Sequence, residues 1–203
     1  MSFFDKHPGY KRMKKDVISR YGSEITNKIW KDADELLDKL REVHSDHSKA
    51  LKRHTHDNIF PRVAMYQAMM KDIPEDAMPL LKKAVEDTCS GVNKLLSRLV
   101  KIPGMPSVFL RAMSTFEKKL FGPAVGFNRV FYADNKKELH FDILKCPYCQ
   151  YCEKCGCPEL SHTFCDSDVY CYGNLPNIVF NRTETIGTGG KRCDFYFAID
   201  KSK

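Results

Sequence analysis

The 203-residue chain is long enough to bury one sizeable core or two small ones, and with 42% hydrophobic residues it does not need disulfides to fold. Its formal charge of +7 permits anionic partners, but most basic residues alternate with acids, as in "KDADELLDKLRE", the pattern of a solvated helix face. The locally basic "YKRMKK" and "KALKRHTH" lack the aromatic interleaving of a nucleic-acid reader, and no run nears the ~18 apolar residues of a membrane span, so neither nucleic acid nor membrane is an expected partner.

The opening "MSFFDKHPGYKRMKKD" has no apolar run of signal-peptide length, which sets the expectation of a reducing, cytoplasmic setting. Ile25, Ile29, Leu36, Leu37, Leu40 and Val43 recur at three and four spacing over residues 23–43, which predicts an amphipathic helix with Ser23 at its cap. In "DNIFPRVAMYQAMMKD" an Asp or Asn cap and an early Pro61 predict a second helix that starts after Asp57 and stops near "DIPED". Glu75 and Asp76 open a third, sustained by Leu80, Leu81, Ala84, Val85, Leu95, Leu96 and Leu99 to about residue 100, with Gly91 a candidate kink. After the breaker "KIPGMP", the stretch "SVFLRAMSTFEKKLF" predicts a fourth helix that ends before Gly122.

Past residue 125 the period falls to two. "FNRVFYA" and "ELHFDIL" alternate around "DNKK", where Asn135 suits a left-handed turn position, and "IVFNRTETI" and "CDFYFAI" do so around "GTGGK". The reading is a single α+β domain over residues 1–203. A helical part at 1–122 packs on a mainly antiparallel four- or five-stranded sheet in the Cys-rich part at 123–203.

Between the two strand pairs lies "CPYCQYCEKCGCPELSHTFC", six of the chain's nine cysteines. An odd total precludes complete internal pairing, and a reducing setting disfavours a disulfide knot. The spacing of Cys146, Cys149, Cys152, Cys155 and Cys157 misses the C-x2-C-x2-C-x3-C-P register of a cluster ferredoxin, and no second C-x2-C knuckle closes a zinc ribbon. Residues from elsewhere in the fold could complete a zinc site, and Cys146, Cys149, Cys165 and Cys193 form the alternative ligand set. No cofactor is required by the sequence. Cys165 is also a candidate reactive thiol: it follows His162 by three residues, precedes Asp168 by three, and is read at the start of a short helix, where the dipole would favour a thiolate. The bland account is a small buried hydrophobe.

The segment from "GCPEL" at 156–160 through "FC" and Asp168, "NLPNIVFNRT", the glycine pair and the closing "CDF" resembles the L-2-amino-thiazoline-4-carboxylic acid hydrolase family. Upstream, "YGSEITNKIWKDADELLDKL" and "NIFPRVAMYQAM" are similar to that family's helical half. A more distant, fold-level similarity runs to ligand-binding domains related to 4-vinyl reductase. The family resemblance implies hydrolytic opening of a small cyclic amidine that carries a carboxylate, giving a carbamoyl cysteine. Such chemistry needs a nucleophile or activated water at ring C2, an acid for the departing ring atom and a cation for the carboxylate.

Cys165 is the candidate nucleophile and Asp168 its base or orienter, on one face if 165–171 are helical. His162 is a candidate acid or base, against the commoner structural role of a loop histidine. Arg182 is the candidate carboxylate clamp, against a surface strand arginine. Cys193 is expected across the site as second thiol, metal ligand or packing, and Glu159 is read as a turn cap. The competing reading is a zinc- or thiol-stabilised small-molecule binding or sensor domain without catalysis. The sequence sets no oligomeric state.

Overall fold

The computed structural model describes residues 2–200. In chain order it contains α1 (Phe3–Lys6), α2 (Pro8–Val43), α3 (Lys49–His54), α4 (Phe60–Asp72), α5 (Pro74–Leu99), α6 (Met105–Leu120), β1 (Asn128–Asp134), β2 (Glu138–Lys145), α7 (Pro147–Lys154), α8 (His162–Tyr172), β3 (Ile178–Asn181) and β4 (Cys193–Ile199). This is the expected α+β order, helices first and an antiparallel sheet after. The chain forms two compact units: residues up to 88 with 151–163, and residues 89–150 with 164 onward.

The first unit is helical. Gly22 breaks α2 with φ of 80°, a left-handed value glycine reaches without a Cβ clash, so a new helical run begins at Ser23 as its spacing predicts. Its buried stripe is Thr26, Ile29, Trp30, Ala33 and Leu37, and full burial of Ile29 and Leu37 stabilises by about 2 kcal/mol each. The expected stripe extended further, but Ile25 and Val43 face solvent.

Asp57 and Asn58 do not cap a new helix. The chain is already helical from Lys49, and a π turn at Thr55–Ile59 carries it into α4. There Phe60 donates its N–H to Thr55 O, five residues back, widening the turn just before Pro61, whose ring cannot follow a tight α-helical interior. Phe60, Pro61, Val63, Ala64, Met65, Tyr66, Ala68 and Met69 are all buried, so α4 is apolar on nearly every side and forms the centre of this unit.

The end of the Cys-rich run belongs to the same unit and is ordered against α4. Tyr66 donates to Glu159 Oε1 at 2.7 Å, Gln67 to Cys155 O at 2.7 Å and Arg62 to Thr163 Oγ1 at 3.0 Å. Glu159 therefore receives a long-range bond where a turn cap was expected. Cys152 and Cys157 are fully buried here, and Cys157 donates its N–H to Cys152 O at 2.9 Å.

The second unit holds the sheet, four antiparallel strands in the order β1-β2-β4-β3. Register places Phe141 opposite Phe195 and Phe180 opposite Phe197, with Phe141 and Phe195 rings stacked at 5.1 Å, so one face is an aromatic ladder. Helix α6 lies on β2 and β4 and buries Phe109, Leu110 and Met113. Helix α5 runs unbroken through Gly91, which is not a kink.

The β1–β2 turn is closed by Asn135 with its side chain: Oδ1 accepts the N–H groups of Lys137 and Glu138 at 2.9 and 3.1 Å. The positive-φ asparagines are Asn174 and Asn177, not Asn135. "GTGGK" is likewise not a tight turn. Thr185 caps a short 3-10 turn at Ile186–Thr188, Gly189 takes φ of 89°, and Gly190 lies where a Cβ would meet Thr185 O at 2.8 Å.

Candidate active site

Helix α8 sets the geometry. It opens at His162, so Cys165 lies one turn inside rather than at its start, and Cys165, Asp168 and Tyr172 share a face at three and four spacing. Arg182, directly after β3, reaches onto that face. Its Nη1 donates to Asp168 Oδ2 at 2.7 Å and its Nη2 to Cys165 O at 2.9 Å. The guanidinium is 7% exposed and lies 5.3 Å over the Phe195 ring. Cys165, Asp168 and Arg182 are thus brought together, but the arginine fork already grips α8 and does not stand open for a substrate carboxylate.

Burial pushes the Asp168 carboxyl up to about 6, and Arg182 opposes that rise. A second, more deeply buried pair adjoins the first, whose Asp168 side chain is 32% exposed: Arg129 of β1 donates to Glu117 of α6 at 3.3 Å, with side chains 6% and 12% exposed. Glu117 is pushed up to about 7, first by burial and then by the Asp168 charge, against the pull of Arg129. Tyr172 is raised by burial and then by Asp168. Two carboxyls are thereby held near neutrality by protein surroundings, the condition for groups that give and take protons at pH 7.

The Cys165 thiol is raised, chiefly by burial; a hydrogen bond with Thr185 and the charge of Arg182 pull it down. The helix dipole expected to favour a thiolate does not dominate one turn inside the helix, because that effect fades within the first turn. Cys193, the first residue of β4, is 5% exposed and accepts the Ile186 N–H on its sulfur at 3.3 Å. Burial pushes it up to about 12, and the charges of Cys165 and Cys146 act in the same direction. The Cys146 thiol is in turn raised, first by the neighbouring Cys149 and then by burial. The four thiols of the alternative zinc set therefore lie in one unit, yet no group of three or more His, Cys, Asp or Glu among the described residues converges as metal ligands. His162 belongs to the first unit, as the first residue of α8.

Sequence reading missed Glu117, Arg129 and Thr185. For Glu117 a signal existed: it continues the inward stripe of α6, four residues after Met113 and three after Ser114, both buried. Arg129 shares the inner alternation of β1 with Phe131. A charged residue on an apolar stripe is the feature to look for. Thr185 gave no such sign, because its position depends on the turn that follows β3.

The α+β order and the antiparallel sheet thus carry a half-buried thiol beside a carboxyl–guanidinium pair. The family model for L-2-amino-thiazoline-4-carboxylic acid hydrolase matches residues 52–197, and the chain belongs to that family. No curated protein matches it. Among solved structures, the crystal structure of an Fe(II) unliganded H-NOX protein from K. algicida is similar at 11% identity, with 96% of each chain covered and a TM-score of 0.33. Among the described residues no helix is long and apolar enough to cross a membrane.

Proposed function

We propose that the chain is a hydrolase that opens a small cyclic amidine carrying a carboxylate, of the type of L-2-amino-thiazoline-4-carboxylate, to a carbamoyl cysteine. Family membership supports the reaction class, and the observation that carries the site is Asp168 beside Cys165, a carboxyl held near 6 one helical turn from a thiol. In this reading Asp168 takes the Cys165 proton and the sulfur bonds to ring C2. The C2 to ring-sulfur bond breaks, and the proton held by Asp168 passes to the departing sulfur. Water then adds at the same carbon, the bond to Cys165 breaks, and the carbamoyl product leaves with the thiol restored. Arg182 fixes Asp168 and the Cys165 carbonyl, so it positions the reacting pair, and it binds a substrate carboxylate only by sharing donors now used on α8. Cys193 lines the site as a second thiol, and His162, read from the sequence as an acid or base, lies in the first unit and takes no step in this scheme.

The test is turnover of the thiazoline acid by the full chain, with and without chelator. Wild type should release a new thiol, and Cys165→Ala should lose at least about a thousandfold in kcat with an unchanged circular dichroism spectrum. Full activity in that variant removes Cys165 as nucleophile. The second reading, a thiol- or zinc-stabilised binding domain without catalysis, draws on the raised thiols of Cys165 and Cys193. It predicts saturable binding of the same acid with no ring opening, and loss of that binding on chelation where zinc holds the site.

A further inference from the structure

Cys146 and Cys149 have no part in the ring-opening scheme, yet they are placed for chemistry of their own. Cys146 directly precedes α7, and its carbonyl accepts the Gln150 N–H at 3.2 Å, so it is the helix N-cap and Cys149 is the third helical residue. Side chains at these two positions reach each other across the first turn, as in a capping box. Here the Cys146 sulfur fills the place of the capping oxygen. The N–H groups of Tyr148 and Cys149 lie beside it and pull its thiol down, while the adjacent Cys149 thiol pushes it up. Pro147 between them fixes the first helical φ. Both residues are partly exposed, and both are free cysteines.

Cys89 and Cys171 are also neighbours, but they belong to separate helices, α5 and α8, so a disulfide between them would constrain two elements. A bond between Cys146 and Cys149 closes within one turn.

We propose that Cys146 and Cys149 form a dithiol–disulfide exchange site whose substrates are low-molecular-weight disulfides. The Cys146 sulfur, as thiolate, attacks one sulfur of R–S–S–R. That disulfide breaks, a Cys146–S–S–R bond forms, and the leaving thiolate takes up the proton Cys146 released. The Cys149 sulfur then attacks Cys146, the second R–S⁻ leaves with the Cys149 proton, and the internal disulfide closes. One small disulfide is reduced to two thiols, and the protein dithiol is oxidised by the same two electrons. The neighbouring Cys149 thiol and burial push the Cys146 thiol up, and the N–H groups of Cys149 and Tyr148 oppose that rise. This site stands whether or not the chain opens a thiazoline ring.

The experiment treats the reduced, desalted full chain with oxidised glutathione, blocks remaining thiols with N-ethylmaleimide and maps all nine cysteines by mass spectrometry. The expected result is an internal Cys146–Cys149 disulfide, with maleimide labelling of both falling at least about tenfold. Cys149→Ser should stop at a glutathione adduct on Cys146, with an unchanged circular dichroism spectrum. The proposal is overturned if glutathione collects on Cys165 while Cys146 and Cys149 stay fully labelled, or if Cys149→Ser leaves Cys146 unmodified. Equally, stoichiometric zinc that shields both thiols from label and oxidant until chelated would make the pair a ligand set and end the exchange reading.

Discussion

The two units bury cysteines in different company. In the first, Cys152 and Cys157 are sealed beside α4, where Tyr66, Gln67 and Arg62 bond to the surrounding segment through Glu159, the Cys155 carbonyl and Thr163. The thiols there fill volume while other groups supply the polar contacts. In the second unit Cys165 and Cys193 lie among Asp168, Arg182, Thr185 and a backbone N–H, with the Glu117–Arg129 pair close by. Burial raises thiols in both places, so a raised thiol alone does not mark a site. What distinguishes the second unit is burial combined with titratable partners held near neutrality.

The sharpest way to break this contrast is to remove the partner that holds the second unit's charges. Arg182→Met keeps length and apolar stem but leaves Asp168 unpaired, and should cost about 4 kcal/mol in urea unfolding at pH 8. The loss should shrink at pH 5, where Asp168 accepts a proton and no longer needs the guanidinium. Asp168→Asn in the same background should recover part of it. A cost below about 1 kcal/mol at both pH values would mean the pair behaves like an exposed ion pair.

Glu117 gives the next largest effect. Its carboxyl rises from 4.5 to about 7 on folding, so the folded unit binds more protons than the unfolded chain across that window. The stabilising contribution is complete below pH 4.5 and is lost as pH rises through 7. Glu117→Gln cannot titrate, so its stability relative to wild type should improve by about 3 kcal/mol between pH 4.5 and pH 8, read from paired urea curves. Asp168, raised to about 6, adds a slope of the same sign in both proteins. Parallel curves for the two proteins would show that Glu117 does not titrate in this range.

A third comparison sets one thiol of each unit against the other. Cys157→Ser places a hydroxyl in a site that is 1% exposed and should cost about 2 kcal/mol, whereas Cys193→Ser can keep accepting the Ile186 N–H and should cost less than about 1 kcal/mol. Equal losses would erase the distinction between filling and bonded thiols.

These residues also show how far the sequence could be read. The amphipathic run after Ser23, the four strands and the shared face of Cys165 and Asp168 were legible, because periodicity and i, i+3 spacing are local. What was not legible depended on distant atoms. Helix α7 has no signal in the cysteine spacing, which also cannot show that Cys152 and Cys157 are covered by packing. Arg182 read as an open clamp, because its partner lies 14 residues away in sequence. The Asn135 turn was placed correctly, but its closure by a side-chain oxygen rather than a positive φ was a choice between two local solutions that composition does not separate.

Gly91 supplies the smallest and cleanest test. It sits within α5, its φ is not in the left-handed range, and a Cβ there would meet nothing within 4 Å. None of the reasons that keep glycine in a chain applies: no turn, no close backbone approach, no strain. Gly91→Ala should therefore stabilise by about 0.5–1 kcal/mol, because alanine has less unfolded freedom to lose and better helix propensity. Activity should not change, since the substitution lies two residues beyond Cys89 and touches none of the charged side chains on α8. A destabilised variant would mean that α5 bends or opens at Gly91 in solution, as its sequence position first suggested. That would place a hinge one turn or less from Asn93, whose amide holds the carbonyls of Cys171 and Gly173 at 3.1 and 2.9 Å, and so couple α5 to the helix that carries Cys165 and Asp168.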